Sequence, residues 1–412
     1  MPPSLTSKIA IRRRSGSDVV GLDIQPGLVA AVEVQVNGAI LAQRAAAAEL
    51  PADAVREGDV VDPAVVAPVL RELFASSGLG KRVRVGVANQ RTVMRTLELP
   101  PVTDPKELAA AVQFQAQDQI PMPLASAVMD FHALGVVDTP AGPRQKVVVV
   151  AAQRDMIERL LSVVRSAGLT PVGIDLSAFA LIRSLHRRSP EEAGRVLYLN
   201  VDGLTNVAIA EGTVCHFTRV VGGGFEEMAV ELAERLGVPL TEARTQLASV
   251  DLSAPAPDEA PLARAGAARE EPTEVAASKP GDHEEDRIVS SEPVDDQRDA
   301  PPTEPQPAVR AEPRSEDSAA RSVLENGVRA ISGEVRNSLD FHRSQGAGGD
   351  VTRVVLSGLA LDLPGFADAL QASLGVDVHP VAVGLADASL AERMSTHRLA
   401  VAAGLAAMEV PQ

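Results

Sequence analysis

The chain is poor in aromatic residues and has a single cysteine. Aromatic side chains make up 2% of its 412 residues, with no tryptophan and one tyrosine. The hydrophobic core must therefore be built from valine, leucine, isoleucine and alanine, which suits buried parallel strands and helices. The same shortage argues against a surface that stacks the bases of single-stranded nucleic acid. The lone cysteine, Cys215, excludes an internal disulfide and lies in an apolar stretch, which favours a buried structural thiol.

Long apolar runs are also absent from the sequence. No run approaches the roughly 18 residues that a membrane-spanning helix needs. We therefore expect no direct membrane span and a cytoplasmic protein. Residues 1–17 carry Lys8, Arg12, Arg13 and Arg14 without an apolar signal core, so we predict a basic, disordered start.

The net charge of −16 is unevenly distributed along the chain. Residues 255–320 contain seventeen acidic and seven basic residues, a local net charge of −10. The rest of the chain is mildly acidic, so its charge does not indicate a basic surface for binding nucleic acid. Between residues 253 and 319 hydrophobic periodicity disappears and proline, alanine and charged residues dominate, which predicts a disordered acidic insertion. A solvated linker is the default interpretation of this insertion, and an interaction tail is the alternative.

The sequence repeats its own opening pattern. Residues 18–49 predict a strand, a short polar turn, a second strand, the hairpin turn Asn37-Gly38 and a third strand. Residues 195–237 repeat this order and continue through Gly222-Gly223-Gly224 into a helix. An internal duplication on this scale indicates two similar α/β domains. We predict the following division: a first domain at 18–190 with an extra small α/β subdomain at about 98–138, and a second domain at 195–252 and 320–408.

Helical periodicity and turn residues give the remaining elements. We predict helices at 63–77, 105–119, 155–167, 177–186, 225–237, 321–343, 365–374 and 399–408. We predict further strands at 82–88, 127–134, 145–152, 171–176, 353–356 and 376–380.

Several motifs, taken in order, resemble a known superfamily. They are Gly21-Leu22-Asp23-Ile24 opening a hairpin, the three glycines before a helix, and Leu356-Ser357-Gly358. This set resembles the actin/Hsp70/FtsA superfamily. Further segments resemble its PilM-type members, the adaptors of type IV pilus machines: Leu97-Glu98-Leu99-Pro100, Gln119-Ile120-Pro121, Ala167-Gly168-Leu169-Thr170-Pro171 and Glu334 to Phe341. The resemblance covers roughly residues 19–247 and 321–407.

The resemblance implies an actin-like (ribonuclease H-like) fold in which two duplicated domains clamp ATP between two phosphate hairpins and an adenosine loop. Asp23 would then hold magnesium through water. The residues matching the nucleotide-binding positions are Asp23, Gln25, Asn200, Asp202, Thr205, Gly223, Gly224, Glu242, Ser357 and Gly358.

Departures from the family pattern fall mainly on the phosphate and metal contacts. Gln25 replaces a glycine, Ala30 replaces a lysine, and Asn200 replaces the second carboxylate. Asp202 stands where a glycine is expected and would repel phosphate. Because phosphoryl transfer depends on positioning and electrostatics, these changes argue against hydrolysis and leave binding of ATP and magnesium open. The alternative is that Asp23, Thr205 and Ser357 only cap hairpins and helices.

The resemblance implies a role as adaptor or scaffold in a type IV pilus or related type II secretion-like assembly machine. A PilM-type adaptor takes a short cytoplasmic peptide of the inner-membrane protein PilN, meets other inner-membrane pilus components, can oligomerise, and is recruited to the inner face of the membrane. Alternatives on the same fold are an active ATPase and an FtsA-like division filament. The filament would call for a basic amphipathic C-terminal helix, whereas residues 399–405 predict an apolar one. The seven histidines show no metal-ligand spacing, so we expect no metal site among them.

Overall fold

The computed structural model describes residues 19–51, 53–187, 194–254, 313–344, 349–392 and 394–407. The predicted basic start and residues 255–312 of the predicted insertion lie outside this part of the chain. The end of the insertion differs from the prediction, because a helix begins at Pro313 and Ala319 is buried. Ala319 and Ala320 continue the apolar face formed by Val323 and Leu324, so they belong to the folded domain rather than to the insertion.

The first part of the chain contains a long run of strands with four helices. In chain order the elements are β1 (Val20–Gln25), β2 (Leu28–Val36), β3 (Ile40–Glu49), β4 (Val55–Arg56), β5 (Asp59–Val60), α1 (Pro63–Ser77), β6 (Arg82–Val87), β7 (Val93–Leu99), α2 (Pro105–Gln119), β8 (Ala127–Thr139), β9 (Gly142–Gln153), α3 (Arg154–Ser166), β10 (Thr170–Leu176) and α4 (Ser177–Leu185).

The second part begins with the repeated hairpins and is richer in helices. Its elements are β11 (Arg195–Val201), β12 (Thr205–Glu211), β13 (Val214–Val221), α5 (Phe225–Leu236), α6 (Leu240–Ser249), α7 (Pro313–Ser344), β14 (Val351–Ser357), α8 (Phe366–Leu374), β15 (Val378–Pro380), β16 (Gly384–Leu385) and α9 (Ala400–Ala406).

The two main sheets share one topology. The first has the strand order β10-β6-β1-β2-β3-β16 and the second the order β13-β12-β11-β14-β15. In each sheet, three antiparallel strands are joined by hairpins. Two more strands lie beside the first of these three and run parallel to it. The central strands β1 and β11 are buried along their whole length. The duplication that the sequence predicts is therefore present, and it places the turn after β1 and the turn after β11 in equivalent positions.

Local sequence signals account for the helix starts. The side chain of Asp62 accepts hydrogen bonds from the backbone amides of Ala64 and Val65, and Pro63 occupies the first helical position of α1. Asp104 caps α2 in the same way before Pro105. These Asp-Pro pairs fix the helix starts, and the predicted ranges 63–77 and 105–119 match the observed ones.

The extra subdomain is larger than predicted. A three-stranded sheet of order β7-β9-β8 carries α2 on one face, so the unit runs from Val93 to Gln153 rather than over 98–138. Strand β8 also continues past the predicted end at residue 134. Its register shifts between Ala133 and Gly135, where Gly135 has φ of 117°, so a β-bulge lets the strand run on through this glycine.

A layer of small residues joins the two halves of the chain. Strand β16 pairs with β3, and α9 packs on β1 and α4, so these two elements lie against the first sheet and not within the predicted second domain. A Cβ on Gly404 would lie 1.8 Å from the carbonyl oxygen of Ala180, and one on Gly21 would lie 1.8 Å from that of Ala402. Every residue of α9 is buried. The sequence predicts an apolar helix at 399–408, of which the structure describes the residues up to 407.

Candidate functional site

The turns of the two equivalent hairpins touch each other at the base of the cleft between the halves. The first turn contains Pro26 and Gly27, and the second contains Gly203. A Cβ placed on Gly203 would lie 2.1 Å from the carbonyl oxygen of Pro26. Because the two backbones are already in contact, no gap the size of a phosphate group separates them at this point.

Asp23 and Gln25 lie directly below this contact. The exposed fractions of Asp23 and Gln25 are 4% and 1%. Nε2 of Gln25 donates to Oδ2 of Asp23 over 2.5 Å, and Oε1 of Gln25 accepts from the backbone amide of Leu204 over 3.3 Å. Burial raises the pKa of Asp23 to about 7, an effect that the Gln25 hydrogen bond opposes and the charge of Asp202 reinforces.

Asn200 and Asp202 form the matching pair on the second hairpin. Nδ2 of Asn200 donates to Oδ2 of Asp202 over 2.9 Å, and the backbone amide of Leu359 donates to Oδ1 of Asp202 over 2.6 Å. Burial raises the pKa of Asp202, against the lowering effect of these two hydrogen bonds. Oδ1 of Asn200 has no hydrogen-bond partner among the described residues. The pair ties the second hairpin to the segment that follows β14.

The glycines before α5 serve packing within the second half. A Cβ on Gly224 would lie 2.4 Å from the carbonyl oxygen of Asp202, and the amide of Phe225 donates to that same oxygen over 2.7 Å. Gly223 has φ of 84° and donates its amide to a carboxylate oxygen of Glu227 over 2.5 Å. Oγ1 of Thr205, another predicted nucleotide contact, donates to the carbonyl oxygen of Gly223 over 3.5 Å.

The predicted adenosine contacts separate in the structure. Oγ of Ser357 donates to the carbonyl oxygen of His397 over 3.3 Å. Gly358 packs against the backbone of Val201, where a Cβ would lie 2.4 Å from the carbonyl oxygen. Glu242 is exposed on α6 and does not line the cleft cavity. The structure therefore gives Ser357 and Gly358 contacts within the protein and leaves Glu242 exposed, and none of the three lines the cleft cavity.

A cavity of about 380 Å³ remains above the touching hairpins. Arg244 crosses it: Nε and Nη2 bind the carboxylate of Glu226 over 3.0 and 2.5 Å, and Nη1 reaches Glu49 of β3 over 3.0 Å. Glu226 in turn packs on Gly27, where a Cβ would lie 2.4 Å from Oε2. The sequence analysis missed this ion triad. The helical spacing of Thr241, Arg244, Thr245 and Ala248, which share one face of α6 and line the cavity, is the signal that could have indicated Arg244.

These residues do not fit a magnesium-bound triphosphate between the hairpins. The Asp23 carboxylate that would orient magnesium is bonded to Gln25, and the hairpin backbones touch. Asp202 and Glu226 would add negative charge against a phosphate. Two arginines line the cavity: Arg244 is already paired with two carboxylates, and the charge of Arg398 acts on Asp202, whose pKa it lowers. The arrangement suits a bond between the two halves of the chain better than a polyphosphate site.

A second cavity, of about 340 Å³, lies between the extra subdomain and the edge strand β10. The three-stranded sheet has two apolar faces. Val147, Val149 and Ala151 face α2, whereas Val148 and Val150 of the same strand line this second cavity. We call it the β8–β10 groove, after the two sheet-edge strands that border it. It is further lined by Val128, Asp130, His132, Ile157, Ile174, Asp175 and Phe179.

Other reactive groups are occupied structurally. Cys215 is buried, its Sγ donates to the carbonyl oxygen of Phe217 over 3.2 Å, and burial raises its pKa to about 12. Nη1 of Arg195 lies 2.8 Å from Nε2 of the buried His342. In the described ranges no group of three or more His, Cys, Asp or Glu side chains is arranged to hold a metal ion. Nor does any helix in this part of the chain have the length and hydropathy to cross a membrane.

The chain has two similar sheets, and their equivalent hairpins meet at the base of the cleft between them. These features define an α/β protein of the actin-like ATPase fold, as predicted. A sequence model of the family described as "Type IV pilus assembly protein PilM" matches residues 21–254, more than half of the chain. The chain belongs to the PilM family of type IV pilus assembly proteins.

One solved structure with a TM-score above 0.5 agrees with this fold. This structure, described as "PilM-PilN type IV pilus biogenesis complex", matches with 23% identity and a TM-score of 0.65, covering 94% of this chain and 97% of that one. The ethanolamine utilization protein EutJ from Carboxydothermus hydrogenoformans is 15% identical with a TM-score of 0.46, over 94% and 88% of the two chains. MreB5 of Spiroplasma citri bound to ADP is 10% identical with a TM-score of 0.44, over 94% of each. With TM-scores below 0.5, the last two similarities carry no argument about this chain.

Proposed function

We propose that this PilM-family chain is an adaptor that docks a peptide of a PilN-like inner-membrane protein in the β8–β10 groove. The observation that carries this proposal is the exposed apolar lining of the groove. Val128 and Ile174 are 38% and 37% exposed on facing edge strands, and Val172 beside them on β10 is 39% exposed. The similar solved structure described as a PilM–PilN complex supports a PilN-like occupant.

The groove suits an extended peptide. β8 is paired only with β9, and β10 only with β6, so each presents a free edge to an added strand among the described elements. Strand addition places alternate side chains of a peptide on one face, where Val148, Val150 and Ile174 can receive apolar residues. Asp175 is neutralised by Arg183 over 2.7 Å, but Asp130 makes no ion pair with the described residues. The peptide should therefore carry alternating apolar residues and one basic residue opposite Asp130.

Recruitment to the inner face of the plasma membrane follows from this proposal. A cytoplasmic adaptor whose described helices do not cross a membrane reaches the membrane when it holds the cytoplasmic tail of a membrane partner. The cleft argues against ATP hydrolysis, because Asp23 and Asp202 are hydrogen-bonded to amide groups and Arg244 is paired with Glu49 and Glu226. The nucleotide site is thus degenerate in our proposal, and the FtsA-like alternative has no support from the buried α9.

The test is binding of a fluorescent synthetic peptide with the N-terminal cytoplasmic sequence of the PilN-like protein from the same organism. Ile174→Asp and Val128→Asp each place a charge in the groove and should weaken binding at least about tenfold, equivalent to 1.4 kcal/mol. Val136→Asp is the matched control, since Val136 is 57% exposed on β8 but lies outside the groove lining. Unchanged binding by both groove variants, or equal loss in the control, would refute the assignment.

A further inference from the structure

The floor of the interdomain cleft is built from bonds that cross between the two halves of the chain. Gln25 belongs to the first half and Leu204 to the second, and the amide of Leu204 donates to Oε1 of Gln25. The same glutamine donates to Asp23, so its side-chain amide is used as both donor and acceptor. With 1% exposure, Gln25 is shielded from water, where such hydrogen bonds are costly to leave unmade.

The rim of the cleft is closed by a second cross-link. Arg244 of α6 binds Glu49 of β3, which belongs to the opposite half, while holding Glu226 of α5 in a two-point contact. Arg244 and Glu226 have side-chain exposures of 15% and 9%, so this pair is shielded, whereas Glu49 at 69% lies open to solvent. The two-point contact with Glu226 fixes the position of the Arg244 guanidinium group. Nη1 of that group then reaches Glu49 on the other side of the cleft.

Backbone contacts complete the closure. The Gly203–Pro26 contact brings the hairpins together, and Glu226 fills the space beside Gly27. In an actin-like fold whose cleft takes a nucleotide, phosphate groups and a metal ion would bridge these two hairpins. Here the Gln25 side-chain amide makes that bridge, since it bonds the Asp23 carboxylate of the first hairpin and the Leu204 amide of the second.

We propose that this chain carries its own closure device: Gln25 and Arg244 hold the two domains together, so the cleft is closed without nucleotide. The inference goes beyond the adaptor role and does not rest on the β8–β10 groove. It predicts that ATP and ADP neither bind at the hairpins nor change the angle between the domains.

The test measures the distance between two spin labels by pulsed electron paramagnetic resonance. Glu72→Cys on α1 and Arg235→Cys on α5 are exposed labelling positions in opposite domains, and the buried Cys215 stays unlabelled. We expect one narrow distance distribution that is unchanged by saturating magnesium-ATP or magnesium-ADP. Gln25→Met keeps the side-chain volume but removes both hydrogen bonds, and should shift and broaden the distribution.

Gln35→Met is the control, since Gln35 is exposed on the neighbouring strand β2 and should leave the distribution unchanged. A nucleotide-dependent shift in the otherwise native protein would overturn the proposal. So would a Gln25→Met distribution identical to that of the control. If Gln25→Met does not fold, the nucleotide measurement on the native cleft still decides, because a self-closed cleft cannot respond to ATP.

Discussion

The backbone amide of Leu204 donates a hydrogen bond to Oε1 of Gln25 across the cleft, over 3.3 Å. This bond joins the two hairpins that the internal duplication makes equivalent. By its resemblance to the family pattern, Gln25 stands where a glycine is expected next to phosphate. In our proposal the chain keeps the actin-like architecture, and this side chain takes the place of the ligand that would join its halves.

Removing this bridge should lower stability. Gln25→Met leaves the Leu204 amide and the Asp23 carboxyl group without their partner in a buried site, which should cost about 1–3 kcal/mol of unfolding free energy. The measurement is urea unfolding followed by circular dichroism. Gln35→Met, at an exposed position, should change the value by less than about 0.5 kcal/mol. Equal stabilities of the two variants would show that the cross-cleft bond contributes nothing.

The α4–α9 contact should tolerate no side chain at Gly404. A Cβ there would lie 1.8 Å from the carbonyl oxygen of Ala180, so Gly404→Ala must push the helices apart. We expect a loss of about 1–3 kcal/mol from overpacking. Gly333→Ala in α7 is the matched control, because its Cβ would meet nothing within 4 Å and should stabilise the helix by about 0.5–1 kcal/mol. Opposite signs in thermal melts are the expected result, and a neutral Gly404→Ala would contradict the packing.

His342 should make stability depend on pH. Burial lowers the pKa of His342, and the charges of Arg195 and His216 lower it further. Nη1 of Arg195 donates to Nε2 of His342, which requires that nitrogen to be unprotonated. Since the unfolded chain binds the proton more tightly, the free energy of unfolding should fall as pH drops below about 6.5, the ordinary pKa of histidine.

His342→Gln should flatten this decline between pH 7 and pH 5, as measured by thermal unfolding at each pH. His379→Gln provides the comparison, because His379 is exposed on β15 and should leave the pH profile as it is. A profile that His342→Gln does not alter would assign the pH dependence to other groups.

Cys215 should report unfolding rather than act as a nucleophile. Burial raises its pKa to about 12, so at pH 8 the folded chain holds it as an unreactive thiol. A chromogenic disulfide reagent should react only as fast as the chain opens, and at once in concentrated urea. Rapid reaction in native buffer would contradict the buried position that both sequence and structure assign to it.

Much of the fold could be predicted from the sequence, because its signals are local. Asp62 and Pro63 fix the start of α1, and alternating apolar residues with glycine turns reveal the two hairpins. The duplication indicated two similar α/β domains, and the resemblance to PilM-type proteins implied the actin-like fold. The bulge at Gly135 was not predictable in the same way, because a glycine in a strand is a signal for an end as much as for a bulge.

The site was less predictable, because its bonds join distant positions. The family resemblance places Gln25 at a phosphate position, but its acceptor role toward Leu204 depends on tertiary contact. Arg244 and Glu49 are 195 residues apart, and no spacing rule pairs them. Similarly, Val148 and Val150 line the β8–β10 groove because α2 covers only the opposite face of β9, which an apolar run does not disclose.

The central claim is that this PilM-family chain is a peptide-docking adaptor whose domains are already closed. Calorimetric titration of the PilN-like peptide into the purified protein, with and without saturating magnesium-ATP, tests it most directly. The account predicts binding with one Kd under both conditions, and no heat when ATP is titrated alone. Peptide binding that needs ATP, or micromolar ATP binding by the native chain, would contradict it.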